Sequence, residues 1–452
     1  MNASELADAA GRAVEAALAA GAGEAEAYAA EDAGREVRVH GGRVESLTAA
    51  TQQGIGVRAW RGGRVGYAYG TDASELGVAA IAAGAAEAAR AADEDEFAGP
   101  PQSAFARPLE GLRDPSVTEW PTARVAELAI GVERAALAAD ARIVGVETAV
   151  YADSCERVAI ASSVGVSGEF ESSSAYAFLQ ALAEGEAGRE SGLGFGLARG
   201  PAGLDPAAIG VEGAERAASM IGAGKPASRS CPVVLDPTVA ASFAGMIGST
   251  LGADAVQRGR SPFAERLGEE IAGVALVLHD DGLASDGPAS SPFDGEGVPR
   301  RRTPLIEEGR LRAYLYDTYT ARRAGASSTG NAARSGYRSL PSVSTSNLIV
   351  ASGQLSFEQL LGEAGEGVYV TDVAGLHSGV NPVSGTFSVG ASGRAIRGGE
   401  RAEPLREFTI AGDLVSMLGA VRAAGADSRW VPFGGSVRTP SLLIGEMTIG
   451  GS

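Results

Sequence analysis

The sequence predicts an α+β protein: an N-terminal domain of helices packed on antiparallel meander sheets, then a Gly-rich, mostly antiparallel β domain with a few helices. Three observations predict this class. Many short runs alternate apolar and polar residues with period two, Gly-Gly pairs separate several of these runs, and apolar residues at helical spacing flank them. The 64 glycines follow no collagen-like period, so they punctuate many short elements.

The start of the chain predicts a helix, a meander and a second helix. The first helix ends at Gly21, where its apolar spacing stops. Gly-Gly turns at 41–42 and 62–63 then divide the alternating segment 37–69 into a meander of at least four antiparallel strands. A helix over 74–92 follows, and its alanine content predicts close packing on a partner surface.

The same order of elements recurs further along the chain. A helix over 122–139, alternating strands over 143–182 and a helix over 206–223 again read helix, meander, helix. We therefore expect a pseudo-repeat of one α+β unit, although the residue identities do not show one.

A domain boundary is predicted at Gly224-Lys225-Pro226, which gives domains 1–225 and 226–452. The second domain begins with an apolar strand at 232–235 and a helix over 238–251. Its other predicted elements are a strand at 274–278, a hairpin joining 304–306 to 311–316, Gly-rich strands from 367 onward and a helix near 414–424.

The charge balance argues against nucleic acid as a partner. The chain has 56 acidic and 38 basic residues, a formal net charge of −18 at pH 7. Such a chain repels phosphate backbones, and the run Arg300-Arg301-Arg302 is too short to reverse that balance. We therefore expect no nucleic-acid partner.

The sequence also lacks signals for membranes and export. No run of eighteen or more apolar residues occurs, and the first 21 residues lack the cationic and apolar regions of a secretory signal. The two cysteines, Cys155 and Cys231, are far apart, which favours buried free thiols in a reducing compartment. We expect a cytoplasmic protein with no membrane partner.

Three histidines limit the acid–base and metal chemistry that the chain can perform: His40, His279 and His377. None belongs to a recognisable metal-binding spacing. His279, Asp280 and Asp281 end a predicted strand, where they are candidates for binding a metal or a substrate amine. The competing interpretation is that the two carboxylates accept hydrogen bonds from loop N–H groups, as Asp does before Gly.

His377 stands between glycines in a flexible segment. Adjacent side chains on extended chain point apart, so Ser378 is a poor partner for it. Folding can bring Ser384 or Ser388 to His377, but no Gly-x-Ser-x-Gly elbow supports a nucleophile there. A hydrolytic or peptide-modifying site rebuilt around His279, Asp280, Asp281 or His377 is therefore an open alternative.

Several short motifs occur in order along almost the whole chain. They include Gly54-Ile55-Gly56-Val57-Arg58, Asp280-Asp281-Gly282, Thr303-Pro304-Leu305-Ile306-Glu307-Glu308-Gly309, Thr329-Gly330-Asn331, Thr345-Ser346-Asn347, Gly379-Val380-Asn381-Pro382 and Thr448-Ile449-Gly450-Gly451. Each motif is weak alone, but together they are specific, and they resemble the TldD/PmbA family, whose PmbA type is also called TldE.

The resemblance also shows what this chain lacks. The TldD kind carries a zinc-binding His-Glu-x-x-x-His motif on the helix after the first strand of its C-terminal domain, and a Cys near its C-terminus. Counting back from Ser261-Pro262-Phe263 places that motif on 244–249, so Ala244 and Ser249 occupy the ligand positions and Gly245 occupies that of the glutamate. There is no cysteine after Cys231. The chain thus resembles the PmbA/TldE type, with no catalytic residue, metal or cofactor of its own.

The resemblance implies a heterodimer with a TldD-like zinc metallopeptidase that acts in proteolysis or maturation of small unfolded peptides. Zinc is expected in the partner subunit only, and this chain is expected to be inactive alone. An unfolded peptide is thought to lie as a strand in a tunnel between subunits. The candidate peptide- or partner-binding residues are His279, Asp280, Asp281, Asn331, Asn347, His377, Asn381 and Ser388. A homodimeric peptide-binding scaffold is a further alternative.

Overall fold

The computed structural model describes residues 3–101, 107–186, 188–432 and 435–451. The elements of its first part are α1 (Ala3–Ala19), β1 (Glu24–His40), β2 (Arg43–Arg61), β3 (Arg64–Gly70), α2 (Glu75–Ala91), α3 (Ser116–Glu119), α4 (Thr122–Ala139), β4 (Ile143–Ser162), β5 (Ser167–Gly185), β6 (Gly188–Ala198) and α5 (Pro206–Ser219).

These first strands form one six-stranded antiparallel sheet in the order β3-β2-β1-β4-β5-β6. The order helix, three strands, helix occurs twice, and the two copies meet where β1 pairs with β4. The predicted pseudo-repeat is therefore present in the topology.

The first meander has three strands, where at least four were predicted. The segments 44–47 and 55–59 belong to the single strand β2, since Gly54 and Gly56 do not turn the chain. Side chains there would collide with Tyr337 and Tyr67 respectively, so these glycines permit close packing against the sheet. The Gly-Gly turns at 41–42 and 62–63 are confirmed, with positive φ at all four residues.

Small residues hold the helices against one face of this sheet. Alanines of α1 and α2, such as Ala13 and Ala85, pack without exposure against Val57 and neighbouring residues. In the second copy, Val132 of α4 and Leu179 of β5 belong to one buried cluster. Short side chains let the helices approach closely, as the alanine content predicted.

The later elements are β7 (Arg229–Leu235), α6 (Pro237–Thr250), α7 (Ala253–Gln257), β8 (Leu278–Asp281), β9 (Arg302–Glu307), β10 (Arg310–Leu311), α8 (Thr318–Arg323), β11 (Ala332–Ala333), β12 (Ser342–Val343), β13 (Asn347–Val350), α9 (Phe357–Ala364), β14 (Gly367–Ala374), α10 (Leu376–Gly379), β15 (Thr386–Arg397), β16 (Glu400–Asp413), α11 (Leu414–Gly419), β17 (Val421–Ala424), β18 (Arg429–Val431), β19 (Ser436–Thr439) and β20 (Leu442–Gly450).

They build two six-stranded sheets, β16-β15-β14-β7-β20-β17 and β10-β9-β8-β13-β19-β18, and a small pair β11-β12. All but two of the pairings, β14 with β7 and β13 with β19, are antiparallel. The largest buried cluster joins both sheets to α6. The predicted α+β class with a mostly antiparallel second part is confirmed. The boundary between 225 and 226 stays a prediction, although no sheet crosses it.

Two element predictions in this part were wrong. The helix near 414–424 ends at Gly419, and the next residues form β17, because Val421 and Ala424 pair with β20 and are buried. The strand at 274–278 begins only at Leu278 and continues to Asp281, since Val274 is exposed and outside any sheet.

The other face of the first sheet meets the second part of the chain. Tyr28, Val158 and Ile160 of that face form a buried cluster with Phe293 and Tyr337. Cys155 and Cys231 are both buried and free. None of the described helices is long and apolar enough to span a membrane.

Candidate functional site

Helix α6 is the element on which the sequence placed the degenerate metal motif. Asp236 caps it by accepting a hydrogen bond from the Thr238 N–H at 2.9 Å, and Pro237 occupies its first position. Ala244 is buried and faces Phe243, Leu278 and other apolar side chains across a space of about 20 Å³. The first predicted ligand position therefore faces the apolar core of the second part of the chain.

The other motif positions do not fit zinc either. Ser249 is exposed, and its hydroxyl donates to the Met246 carbonyl at 2.7 Å within the helix. Gly245 carries no side chain. Zinc sites in proteins use thiolate, imidazole or carboxylate ligands, and none of these groups is present at the motif. Nowhere in the described part of the chain do three or more His, Cys, Asp or Glu side chains group so as to hold a metal ion.

Asp280 and Asn331 are brought together in a buried cluster beside β8. One Asp280 oxygen accepts from the Ser346 N–H, and the other accepts from the Ser346 hydroxyl and the Asn331 amide, each at 2.7 Å. Burial raises the pKa of this carboxyl, while the hydrogen bonds oppose the increase. Asp280 thus joins the loops that carry Asn331 and Ser346.

Asn347 performs a similar task for the long loop after β8. Its amide N–H groups donate to the Asp281 carbonyl at 2.8 Å and the Ser290 hydroxyl at 2.9 Å. Its oxygen accepts from the Ala289 N–H at 2.9 Å and the Ser436 hydroxyl at 2.8 Å. The side chain of Asp281 accepts from the Leu283 N–H at 2.9 Å, in the manner of an Asp in a turn.

His279 lies buried in β8, next to Asp280. Burial lowers the pKa of its imidazole to about 4, and the cations Arg302 and Arg438 lower it further against the opposing effect of Asp281. The ring is therefore neutral at pH 7. Its Nδ1 atom is buried without a hydrogen-bond partner among the described residues.

His377, Asn381 and Ser388 form a separate, exposed group. Asn381 accepts hydrogen bonds from two N–H groups that follow it, those of Val383 at 2.9 Å and Ser384 at 3.2 Å. In the part of the chain that the structure describes, no hydrogen bond joins His377 to a serine. The structure thus divides the predicted residues between a buried, hydrogen-bonded cluster and an exposed segment.

Sequence reasoning missed a buried ionic network at the seam between the two parts. Arg58 of β2 donates to Glu26 of β1 at 2.6 and 3.1 Å and to Glu296 at 3.0 Å, and Arg334 also binds Glu26. All four side chains are at least 90% buried. Arg58 belongs to a family-like motif and Glu26 is a charge in the alanine-rich run of β1, but nothing in the sequence joined them, because the network partners are remote from one another along the chain.

Asp294 adds a fifth charge beside this network. Burial and the nearby Glu296 carboxylate raise the pKa of Asp294 to about 7. Burial also acts to raise the pKa of Glu296, but the Arg58 cation and hydrogen bonds outweigh it, so the pKa of Glu296 is lowered. Asp294 accepts hydrogen bonds from the N–H groups of Ala332 at 3.0 Å and Val298 at 3.0 Å. It therefore organises the loop that enters the seam.

Two cavities accompany the seam. One of about 340 Å³ opens on the first sheet beside Tyr337 and contains Asp32 and Glu156, which are direct cross-strand partners. Desolvation raises the pKa of both carboxyls, and the Asp32 charge raises that of Glu156 further. The other, of about 210 Å³, lies between α5 and β14 and contains Arg216 and Arg406.

Three models of successive domains of one family match the chain. They are PmbA/TldA metallopeptidase domain 1 at 25–92, the central domain at 115–221 and the C-terminal domain at 228–451. Similar proteins include the metalloprotease PmbA of Escherichia coli O157:H7, 29% identical over 94% of this chain and 92% of its own length. A PmbA homologue of Haemophilus influenzae is 28% identical over 99% and 96%.

Solved structures share the fold. A protein of Thermotoga maritima, described as a proposed modulator of a DNA gyrase, is 26% identical with a TM-score of 0.89, covering 98% of this chain and 99% of that one. TldE of Thermococcus kodakarensis has a TM-score of 0.91 at 22% identity and covers 98% and 100%.

Proposed function

The chain belongs to the PmbA/TldD family, and from this premise we propose that it is the non-catalytic PmbA/TldE-type subunit of a peptidase whose zinc site lies in a TldD-like partner. The observation that carries the proposal is the chemistry of α6. Ala244 and Gly245 offer no metal ligand and no proton acceptor, and Ser249 bonds to its own helix.

Zinc in a peptidase polarises the substrate carbonyl and lowers the pKa of its bound water toward 7. That chemistry needs at least three ligands and a base beside them. In this chain the equivalent helix contributes apolar contacts to the core of the second part. The zinc chemistry is accordingly assigned to the partner subunit, and the role of this chain to shape and substrate contact.

The exposed segment from α10 to β15 is the proposed contact surface for the partner or an unfolded peptide. His377, Asn381 and Ser388 lie on it and are exposed, as is the apolar Val383. Gly379 of α10 and Gly393 of β15 are already packed against main-chain atoms of this chain, so neither leaves room beside it for the main chain of a bound peptide. Side-chain contacts from the exposed segment therefore support the proposal better than the glycines do.

Co-expression with a TldD-like protein that carries His-Glu-x-x-x-His tests the proposal. We expect a stable complex that contains zinc and cleaves unfolded peptides that this chain alone does not cleave. We also expect the complex to be found in the cytoplasm of the cell that produces it. The matched control is a partner with both motif histidines changed to alanine, which should assemble without cleaving.

Two results contradict the proposal. One is stoichiometric zinc and peptidase activity in the pure chain, both lost on chelation. The other is a chain that forms only homodimers and never the mixed complex during size-exclusion chromatography, which favours the homodimeric scaffold.

A further inference from the structure

The cavity of about 210 Å³ at the seam is built from both parts of the chain. One wall comes from β5, β6 and α5, and the other from α6, β14, β15 and β16. Domain seams are preferred places for ligand sites, but this volume is below the roughly 300–1,000 Å³ of pockets for drug-sized ligands. A ligand there must be small.

The cavity contains guanidinium groups with unused hydrogen-bonding capacity. Arg406 donates to Glu190 at 2.7 Å through Nη1. Arg216 donates through Nη2 to Asp236 at 3.2 and 3.3 Å and also lies 3.2 Å from Glu212. Among the described residues, the other guanidinium nitrogens of both arginines have no acceptor, so each arginine can bind an additional anionic oxygen.

A carboxylate without an ion-pair partner faces the same cavity. Asp372 lines it, is exposed and forms no ion pair within the described ranges. The nearby acids Glu190 and Asp236 are held by Arg406 and Arg216 respectively. Asp372 is therefore the carboxylate that remains available for an ammonium group.

We propose that this cavity binds a small zwitterion, a free α-amino acid or a dipeptide, with its carboxylate toward Arg406 and Arg216 and its ammonium group toward Asp372. The cavity wall contains two cations and an available carboxylate, Asp372, so a short molecule with one negative and one positive group can contact both kinds of charge. The choice of free amino acids and dipeptides rests on the proposed function, since these are the molecules that a peptidase releases. The charged groups of the cavity all belong to this chain.

Isothermal titration calorimetry of the full chain with Gly-Gly tests the site without any partner subunit. We expect saturable binding of Gly-Gly, and of glycine or alanine more weakly. Blocking either end, as N-acetyl-Gly-Gly or Gly-Gly-amide, should remove the binding, because one charge of the zwitterion is lost. Absence of saturable binding for all of these amino acids and dipeptides, or equal binding of the blocked analogues, overturns the proposal.

Substitutions locate the binding. Asp372→Asn should weaken Gly-Gly affinity about tenfold or more, because a hydrogen bond between charged groups is lost. Asp8→Asn is the matched control, since Asp8 is exposed on α1 and lines no described cavity. Arg406→Gln should weaken Gly-Gly affinity about tenfold or more, because a charged donor to the ligand carboxylate is lost. A melting temperature within a few degrees of that of the natural chain would show that the fold is preserved. If both Asp372→Asn and Arg406→Gln bind like the control, the proposed location is wrong.

Discussion

Helix α6 and the seam between the two parts of the chain differ in the kind of side chain that they bury. At α6 the positions that the resemblance assigns to zinc ligands hold Ala244 and Ser249, the position of the glutamate holds Gly245, and the helix contributes mainly apolar contacts. At the seam, by contrast, Arg58 and Arg334 hold Glu26 and Glu296 in a buried ionic network.

This difference indicates that the two regions have different roles in holding the fold together. A buried charge is costly unless a partner of opposite charge lies beside it. A buried network of four charged side chains therefore requires each cation to lie within hydrogen-bonding distance of a carboxylate. The chain uses such a network to connect its first sheet with the loops of the second part. The body of α6, Pro237–Thr250, contains no charged residue, and the only charge at this helix in the described structure is the cap Asp236, which pairs with Arg216.

The largest expected effect concerns the seam. Arg58→Met leaves Glu26 and Glu296 buried without their main cation, so we expect a loss of about 3–5 kcal/mol in the free energy of unfolding. Urea denaturation measures it. Arg90→Met is the control, because Arg90 pairs with Glu87 on an exposed helix face and should matter by less than about 1 kcal/mol. Equal effects of the two substitutions would show that the network does not stabilise the seam.

A somewhat smaller effect is expected at α6. Ala244→His must fit an imidazole beside a space of about 20 Å³ among apolar side chains, which should cost about 1–3 kcal/mol. Ser249→His on the exposed side should cost little. Thermal unfolding of both variants provides the comparison. An Ala244→His variant that is as stable as the natural chain would mean that α6 can still accommodate a ligand.

The pH dependence of the seam is a finer test. Folding raises the pKa of Asp294 from 3.8 to about 7, so its stabilising contribution is complete below pH 3.8 and is lost as the pH rises toward 7. Glu296, with its lowered pKa, acts in the opposite direction below pH 4.5. Asp294→Asn should therefore flatten the decline of the unfolding free energy between pH 4.5 and 7. Parallel pH profiles for the natural chain and the variant would exclude this titration.

The smallest effect on stability is expected for the exposed His377. His377 is exposed, so His377→Ala should change stability by no more than about 0.5 kcal/mol. In the complex with the TldD-like partner, neither His377→Ala nor His279→Ala should abolish peptide cleavage. Abolished cleavage with an intact fold would instead support the hydrolytic site rebuilt around these histidines.

Much of the local structure could be predicted from residue order. The helix over 122–139 has the predicted bounds, and the Gly-Gly turns lie where the sequence placed them. Period and turn chemistry are local properties, so short segments contain the information. The strand count was wrong because the alternating runs 44–47 and 55–59, which predict two separate strands, both belong to the single strand β2.

The candidate site was less predictable. The sequence named Asp280 and Asn331 as candidate binding residues because they lie in family-like motifs, but it did not predict that they contact each other. In the structure their side chains are hydrogen-bonded and join two loops. The zwitterion cavity had no sequence signal, because Thr238, Asp372 and Arg406 come from different elements far apart in the chain.

By itself the sequence determined the α+β class and the order of most elements, because helical and strand periods and turn residues are visible along the chain. Only the tertiary structure decided which charges share the seam and which polar groups remain unpaired. Glu26 lies 308 residues before Arg334 in sequence yet pairs with it in a site that excludes water. Such pairing depends on how two sheets and their loops pack together, and no local pattern encodes that geometry.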